Sequence, residues 1–282
     1  MPKPADSEAR LGIIAGSGSL PLRLAEAAAG MARPPFIVAI GREADAATLR
    51  NRDHAHVELG AVGKLVDVLR EAGCTQVVMA GKIRRPNFHE LRPDWRGLKL
   101  LPRVVAAARK GDDALLSTLI AYLEEEGFRV IGADQVLADL VAAEGPVGRI
   151  TPSEADMADL ARAVSVALAL GRLDVGQAAV VRDGIVLGVE AAEGTDALLQ
   201  RCGSLQPEGR GGVLAKLPKP GQERRVDLPT IGVATVQMAA AARLNGIAVE
   251  AGGALILDRD EVAAAADASG LFVVGIPKPA ES

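Results

Sequence analysis

The sequence predicts an α/β protein of two domains, and three patterns carry that expectation. Short, unbroken apolar runs alternate with longer helical patterns through the first half, as in "LGIIA", "PFIVAI" and "QVVMAG". Strands apolar on both faces belong to parallel sheets covered by helices on each side, hence a doubly wound sheet. Around residues 141–150 the periodicity lapses into "VAAEGPVGRI", a Gly- and Pro-containing segment read as a linker. Beyond it, the two-residue turn Asp183-Gly184 sits between "AVVR" and "IVLGVE", which marks an antiparallel hairpin and so a mixed sheet. The expected domains are 10–140 and 151–282, the second α/β with a mixed sheet.

Residues 1–10 read as a loose polar tail. "LGIIA" is the first strand; residues 22–29 form a helix closed by Gly30, and "PFIVAI" is the second strand. Residues 62–71 form a helix closed by Gly73, and "QVVMAG" follows as a strand. Residues 112–126 are helical to Gly127, before the strand "FRVIGA". In the second half "TPSEADM" opens a helix, with Thr151 or Ser153 as the N-cap and acids in the first turn. After the hairpin come strands at 213–217, 247–250, 254–257 and 271–274, with helices at 233–244 and 261–268.

The totals exclude several classes. The chain is 49% hydrophobic but only 2% aromatic, so platforms for stacking bases are scarce, and a net charge of −4 gives no reason to expect nucleic acid. Cys74 and Cys202 stand far apart with no CxxC spacing, which fits a reducing compartment. The start "MPKPADSEAR" has no apolar core of a signal peptide, and no run reaches the length of a membrane span. A cytoplasmic protein is expected. Oligomeric state is not legible, and a homodimer is carried as an open alternative.

The loops hold the chemistry. "AGSGSLP" supplies Gly16 and Gly18 of a dinucleotide-binding turn, but Pro21 stands where the third glycine should be, and Gly41-Arg42 ends the second strand with Glu43 just beyond. Proline suits a first helical turn, so the helix N-terminus survives as an anion site while nicotinamide-cofactor packing does not. "GAVGK" at 60–64 fails as a P-loop: its glycines are three apart and Leu65 follows Lys64. Residues 82–110 carry nine basic residues against two acids and begin at a strand's carboxyl end, with Lys82 and Arg85 placed to reach a phosphate. Glu190, Glu193 and Asp196 crowd where a strand gives way to a helix, an oxygen-donor set of the kind Mg²⁺ takes. "KLPKPGQERRVDLPTIG" gathers Lys216, Lys219, Arg224 and Arg225 around Asp227, an arrangement suited to a metal-bound phosphate. His54, His56 and His89 lack the partners of a zinc site, and Ser17 is not in a nucleophile elbow.

"LGIIAGSGSLP", "AGKIRRPNF", "GLKLLPRVVAAARKGDDALL", "GRLDVGQAAVVRDGIVLGVEAAEGTDALL", "VLAKLPKPGQERRVDLPTIGVAT" and "AGGALILDRDEV" resemble, in order, the LpxI family, over residues 11–275. The resemblance implies hydrolysis of UDP-2,3-diacylglucosamine to 2,3-diacylglucosamine 1-phosphate (lipid X) and UMP, a step of lipid A biosynthesis, with a divalent metal, normally Mg²⁺, and neither nicotinamide nor haem. It implies an N-terminal Rossmann-like domain and a C-terminal α/β domain with the substrate in the crevice between them. The essential acid falls on Asp227, with Asp196 and Glu190 as further catalytic candidates and Asp227, Asp196 and Glu193 as metal candidates. The matching motifs hold the substrate-binding candidates Gly16, Ser17, Gly18, Gly81, Lys82, Arg85, Lys99, Gln177, Thr195, Lys216, Arg225 and Thr230. An amphiphilic substrate also implies peripheral contact with the inner membrane. The alternatives are a non-catalytic binder of a nucleotide or lipid phosphate and an NAD(P)-dependent oxidoreductase.

Overall fold

A computed structural model describes residues 10–83, 92–109, 111–225 and 228–280, apart from the side chain of Asp112. The chain divides into two compact units, 1–137 and 138–282.

In the first unit, strands β1 (Arg10–Ala15), β2 (Phe36–Ile40), β3 (His54–Val57), β4 (Cys74–Ala80) and β5 (Arg129–Val130) form a parallel sheet in the order β3-β2-β1-β4-β5. The order reverses between β1 and β4, the point at which doubly wound sheets take ligands. The central strands are apolar on both faces, with Ile13, Ile37, Val77 and Val78 fully buried, as the unbroken apolar runs require. The expected helix at 22–29 begins earlier, as α1 (Leu20–Ala27) continued by a 3-10 turn at Ala28–Gly30, because Pro21 fits the first turn. A short α2 (Ala46–Leu49) follows β2. Helix α3 (Val62–Glu71) has the expected bounds. Two elements escape a periodicity reading. β3 is one of the two edge strands, and its exposed His54 and His56 break the apolar pattern because one flank meets water. The basic segment folds into α4 (Trp95–Ala108), capped by Asp94 through the Gly97 N–H at 2.7 Å. Helix α5 (Asp112–Glu125) and a single turn, α6 (Ala133–Val136), complete the unit.

The second unit holds a six-stranded mixed sheet in the order β6-β13-β11-β9-β7-β8. Its strands are β6 (Gly145–Pro146), β7 (Ala178–Arg182), β8 (Ile185–Val189), β9 (Val213–Lys216), β11 (Gly246–Glu250) and β13 (Phe272–Ile276). β9, β11 and β13 run parallel, while β7 is antiparallel to both β8 and β9. Asp183 and Gly184 take positive φ of 51° and 74°, the type I′ hairpin turn expected there. β10 (Thr230–Ile231) and β12 (Leu255–Ile256) form a small parallel pair of their own. Helix α7 (Glu154–Arg172) covers one face, packing Ala163 and Ala167 on Ala179, Val181, Ala215 and Leu217. Helices α8 (Gly194–Leu205), α9 (Val233–Ala241) and α10 (Arg259–Ala268) cover the other, closing over Val180, Leu214, Ile247 and Val273. Within residues 141–150, the Ala142 N–H donates to Ala254 O at 2.9 Å and Gly145–Pro146 pairs with β13.

Candidate active site

Each unit gathers candidate residues at the carboxyl ends of its parallel strands. In the first, the loops after β1 and β4 are laced together at the switch point. Ser17 and Lys82 exchange backbone hydrogen bonds at 2.9 Å in both directions, and Ser17 Oγ also donates to Lys82 O at 2.9 Å. The glycines make this possible. A Cβ on Gly16 would lie 2.5 Å from Lys82 O, and one on Gly81, where φ is +88°, would lie 2.6 Å from Ser17 O and 3.0 Å from Pro21 Cγ. Pro21 thus packs over Gly81, so the close approach that a third glycine would give α1 is transferred to the neighbouring loop. The amides of Gly16 and Ser17 are spent on Ala80 O and Lys82 O. The Gly18 N–H, at φ +99°, donates to Asp45 Oδ2 at 3.0 Å. Among the described residues of these two loops, the first turn of α1 and the exposed Lys82 side chain remain to meet an anion. An acid does stand beyond β2, as in dinucleotide folds, but it is Asp45 rather than Glu43, and it occupies an amide that a pyrophosphate would need.

In the second unit the buried carboxylate of Glu190 ends β8 and joins three elements. Its Oε2 accepts the Gln177 N–H at 3.1 Å, and its Oε1 accepts from Thr195 Oγ1, in the first turn of α8, at 2.6 Å. With both oxygens held by protein donors, Glu190 fixes the start of β7 and the start of α8, which is the work of a positioning group. Gln177 Oε1 is buried with no hydrogen-bond partner. Lys216 ends β9 and donates to Thr230 O at 2.9 Å, and Thr230 Oγ1 donates to Leu228 O at 3.0 Å. These bonds brace the chain just after Asp227. Asp227 itself and Arg85 lie outside the described residues.

The other candidates are dispersed. Glu193 precedes α8 and pairs with Arg201 at 2.7 Å. Hydrogen bonds from its own backbone N–H, then from Arg201, hold its carboxyl below the usual range. Asp196 is exposed in the first turn of α8. Arg225 donates to Glu223 Oε1 and Oε2 at 2.9 and 2.8 Å, and Lys99 lies on α4 with Nζ 4.6 Å from the Trp95 ring centroid. Among the described residues, no group of three or more His, Cys, Asp or Glu converges as a metal site. Asp196, exposed one residue past Thr195, is a single oxygen donor of the kind a hard cation takes.

Sequence reasoning passed over Glu250, 3% exposed at the end of β11, which accepts from Arg224 Nη2 at 2.7 Å. The pair lines a cavity of about 190 Å³ with Lys219, Gln222 and Lys278, room for a phosphate-sized group rather than a nucleotide. An acid closing the apolar run "GIAVE" was the signal available for it.

The family model described as the LpxI N-terminal domain matches residues 10–140, and that of the LpxI C-terminal domain matches residues 143–274. UDP-2,3-diacylglucosamine pyrophosphatase LpxI of Caulobacter vibrioides is 48% identical over 273 residues, covering 95% of this chain and 97% of that protein. Solved structures show distant likenesses that carry no argument. CobK precorrin-6A reductase is 15% identical, covering 96% of this chain and 89% of that one, at a TM-score of 0.33. Glycinamide-RNase-transformylase T from Mycobacterium tuberculosis is 18% identical, covering 65% and 44%, at 0.24.

Proposed function

The chain belongs to the LpxI family, and on that premise we propose that it hydrolyses the pyrophosphate of UDP-2,3-diacylglucosamine to UMP and 2,3-diacylglucosamine 1-phosphate. The observation that carries the reading is 48% identity sustained across both units with a relative named for that activity.

The chemistry is attack of water on one phosphorus, with the bridging P–O bond breaking and the departing phosphate taking the electron pair. The barrier is repulsion between the nucleophile and an anionic diphosphate, so cations and a proton acceptor are what the protein must bring. Lys82 at the switch point binds phosphate oxygen. Asp227 takes the proton of the attacking water or holds a metal. Mg²⁺, held by Asp227 and Asp196, would neutralise charge on the diphosphate. Glu193 joins that set only by releasing Arg201. Glu190 keeps Gln177 and Thr195, the substrate-binding candidates on this side, in register. The reading includes a cytoplasmic enzyme that meets its amphiphilic substrate by peripheral contact with the inner membrane.

The test is UMP release from UDP-2,3-diacylglucosamine by the purified protein, with Mg²⁺ and with chelator, beside Asp227→Ala. We expect release that needs the metal and falls by roughly a thousandfold in the variant. Tight binding of the lipid without turnover would leave a binding protein on this fold.

A further inference from the structure

Helix α4 turns a face of apolar and basic side chains to solvent. Its inward residues Gly97, Leu100 and Ala107 are buried, as its packing against α3 and α5 requires. Outward, Trp95 is 62% exposed and Leu98 is 57% exposed, and Pro102 and Ala106 continue the same stripe at helical spacing. Exposed cations lie beside the stripe: Lys99 on the helix, with Arg92 before it and Arg109 after it, while Arg103 is paired with Glu125 and Arg96 with Asp67. No acid occurs from 95 to 109. Glu125 of α5, which meets this helix, is paired to Arg103 at 3.1 Å through both carboxylate oxygens, so the two charges offset one another. Lys99 Nζ lies 4.6 Å, and the Arg96 guanidinium 5.4 Å, from the centre of the Trp95 ring. An indole flanked by cations, with an apolar body and a polar edge, is the side-chain arrangement favoured where water meets lipid headgroups.

We infer that the outward face of α4 docks on an anionic phospholipid surface. The stripe supplies apolar contact at the headgroup boundary, and Arg92, Lys99 and Arg109, beside a helix that carries no acid of its own, complement negative headgroups. Pro102 returns no hydrogen bond to the Leu98 carbonyl, so the contact stays shallow, where water reaches that group. The inference deepens the membrane contact of the proposed function by naming its surface, and its test requires no substrate.

Trp95 is the chain's only tryptophan, so emission excited beyond the absorption of the single tyrosine, Tyr122, reports on this face alone. Vesicles of phosphatidylglycerol and phosphatidylethanolamine should shift that emission to the blue, an effect lost at high salt and absent with phosphatidylcholine vesicles. Leu98→Glu keeps the reporter and replaces an exposed residue, and it should weaken vesicle binding by roughly tenfold. An unshifted spectrum overturns the inference, even where the protein sediments with vesicles, since the contact would lie elsewhere. So does equal binding by Leu98→Glu or by neutral vesicles. A blue shift that follows protein concentration without lipid overturns it too, by identifying a second copy as the occupant. UMP release from detergent-dispersed substrate, measured on the same preparations, keeps failure of the enzymatic reading separate from failure of this one.

Discussion

Gly81 shows how much one position decides. Its φ of +88° is a conformation that L side chains rarely adopt, and a Cβ there would lie 2.6 Å from Ser17 O, a backbone atom with no room to yield. Gly18 has the same handedness, φ +99°, but open space around it. Gly18→Ala therefore bears only the conformational cost, about 1–2 kcal/mol. Gly81→Ala adds the clash and should cost at least about 2 kcal/mol more, read from guanidinium unfolding midpoints. Equal costs would mean that the two loops are not packed together as described. Cys74 illustrates the opposite case: burial pushes its thiol up to about 11 against the opposing fields of Arg10 and Arg33, so it is an inert core residue.

Among the elements, α7 carries the most explicit terminus. Ser153 Oγ accepts the Asp156 N–H at 3.3 Å, Asp156 Oδ2 accepts the Ser153 N–H at 2.9 Å, and Asp156 Oδ1 accepts from Asn245 Nδ2 at 2.8 Å. Burial pushes the Asp156 carboxyl up, yet the hydrogen bonds from Ser153 and Asn245 outweigh it and hold the group below the usual range. Because the folded value is the lower one, the stabilisation is complete above the ordinary aspartate value of about 3.9 and is lost as pH falls through the folded value. Asp156→Asn should be less stable than the parent by about 1–2 kcal/mol at neutral pH, with the gap closing below about pH 4. A pH-independent gap, measured by denaturant titration, would assign the effect to packing instead. The "TPSEADM" stretch announced this cap because the reciprocal bonds are local in sequence.

For the whole molecule, the candidates divide between two units that each bury their own core. Gly16, Ser17, Gly18, Gly81 and Lys82 belong to the first, and Gln177, Glu190, Thr195, Lys216 and Thr230 to the second. If the proposed reaction draws on both sets, neither 1–137 nor 138–282 expressed alone should release UMP, even where circular dichroism shows it folded. Turnover by either folded half would confine the chemistry to that half.

The sequence by itself determined the α/β class, the parallel first sheet, the hairpin at Asp183-Gly184 and the glycines at the strand ends. Each of these rests on local periodicity or backbone conformation, which short runs of residues encode directly. The same local reading missed β3, whose edge position admits histidines, and α4, whose cations and exposed apolar stripe obscure its period. Only the tertiary structure decided that Gly81 and Pro21 take over the missing glycine's packing, that Asp45 holds the Gly18 amide, and that Glu190 is held by Gln177 and Thr195. Spacings of 60 residues from Pro21 to Gly81 and 27 from Gly18 to Asp45 leave no mark in any local pattern. Contacts of that kind arise when strands distant in sequence are brought side by side, and the strand order, not the sequence spacing, selects which loops meet.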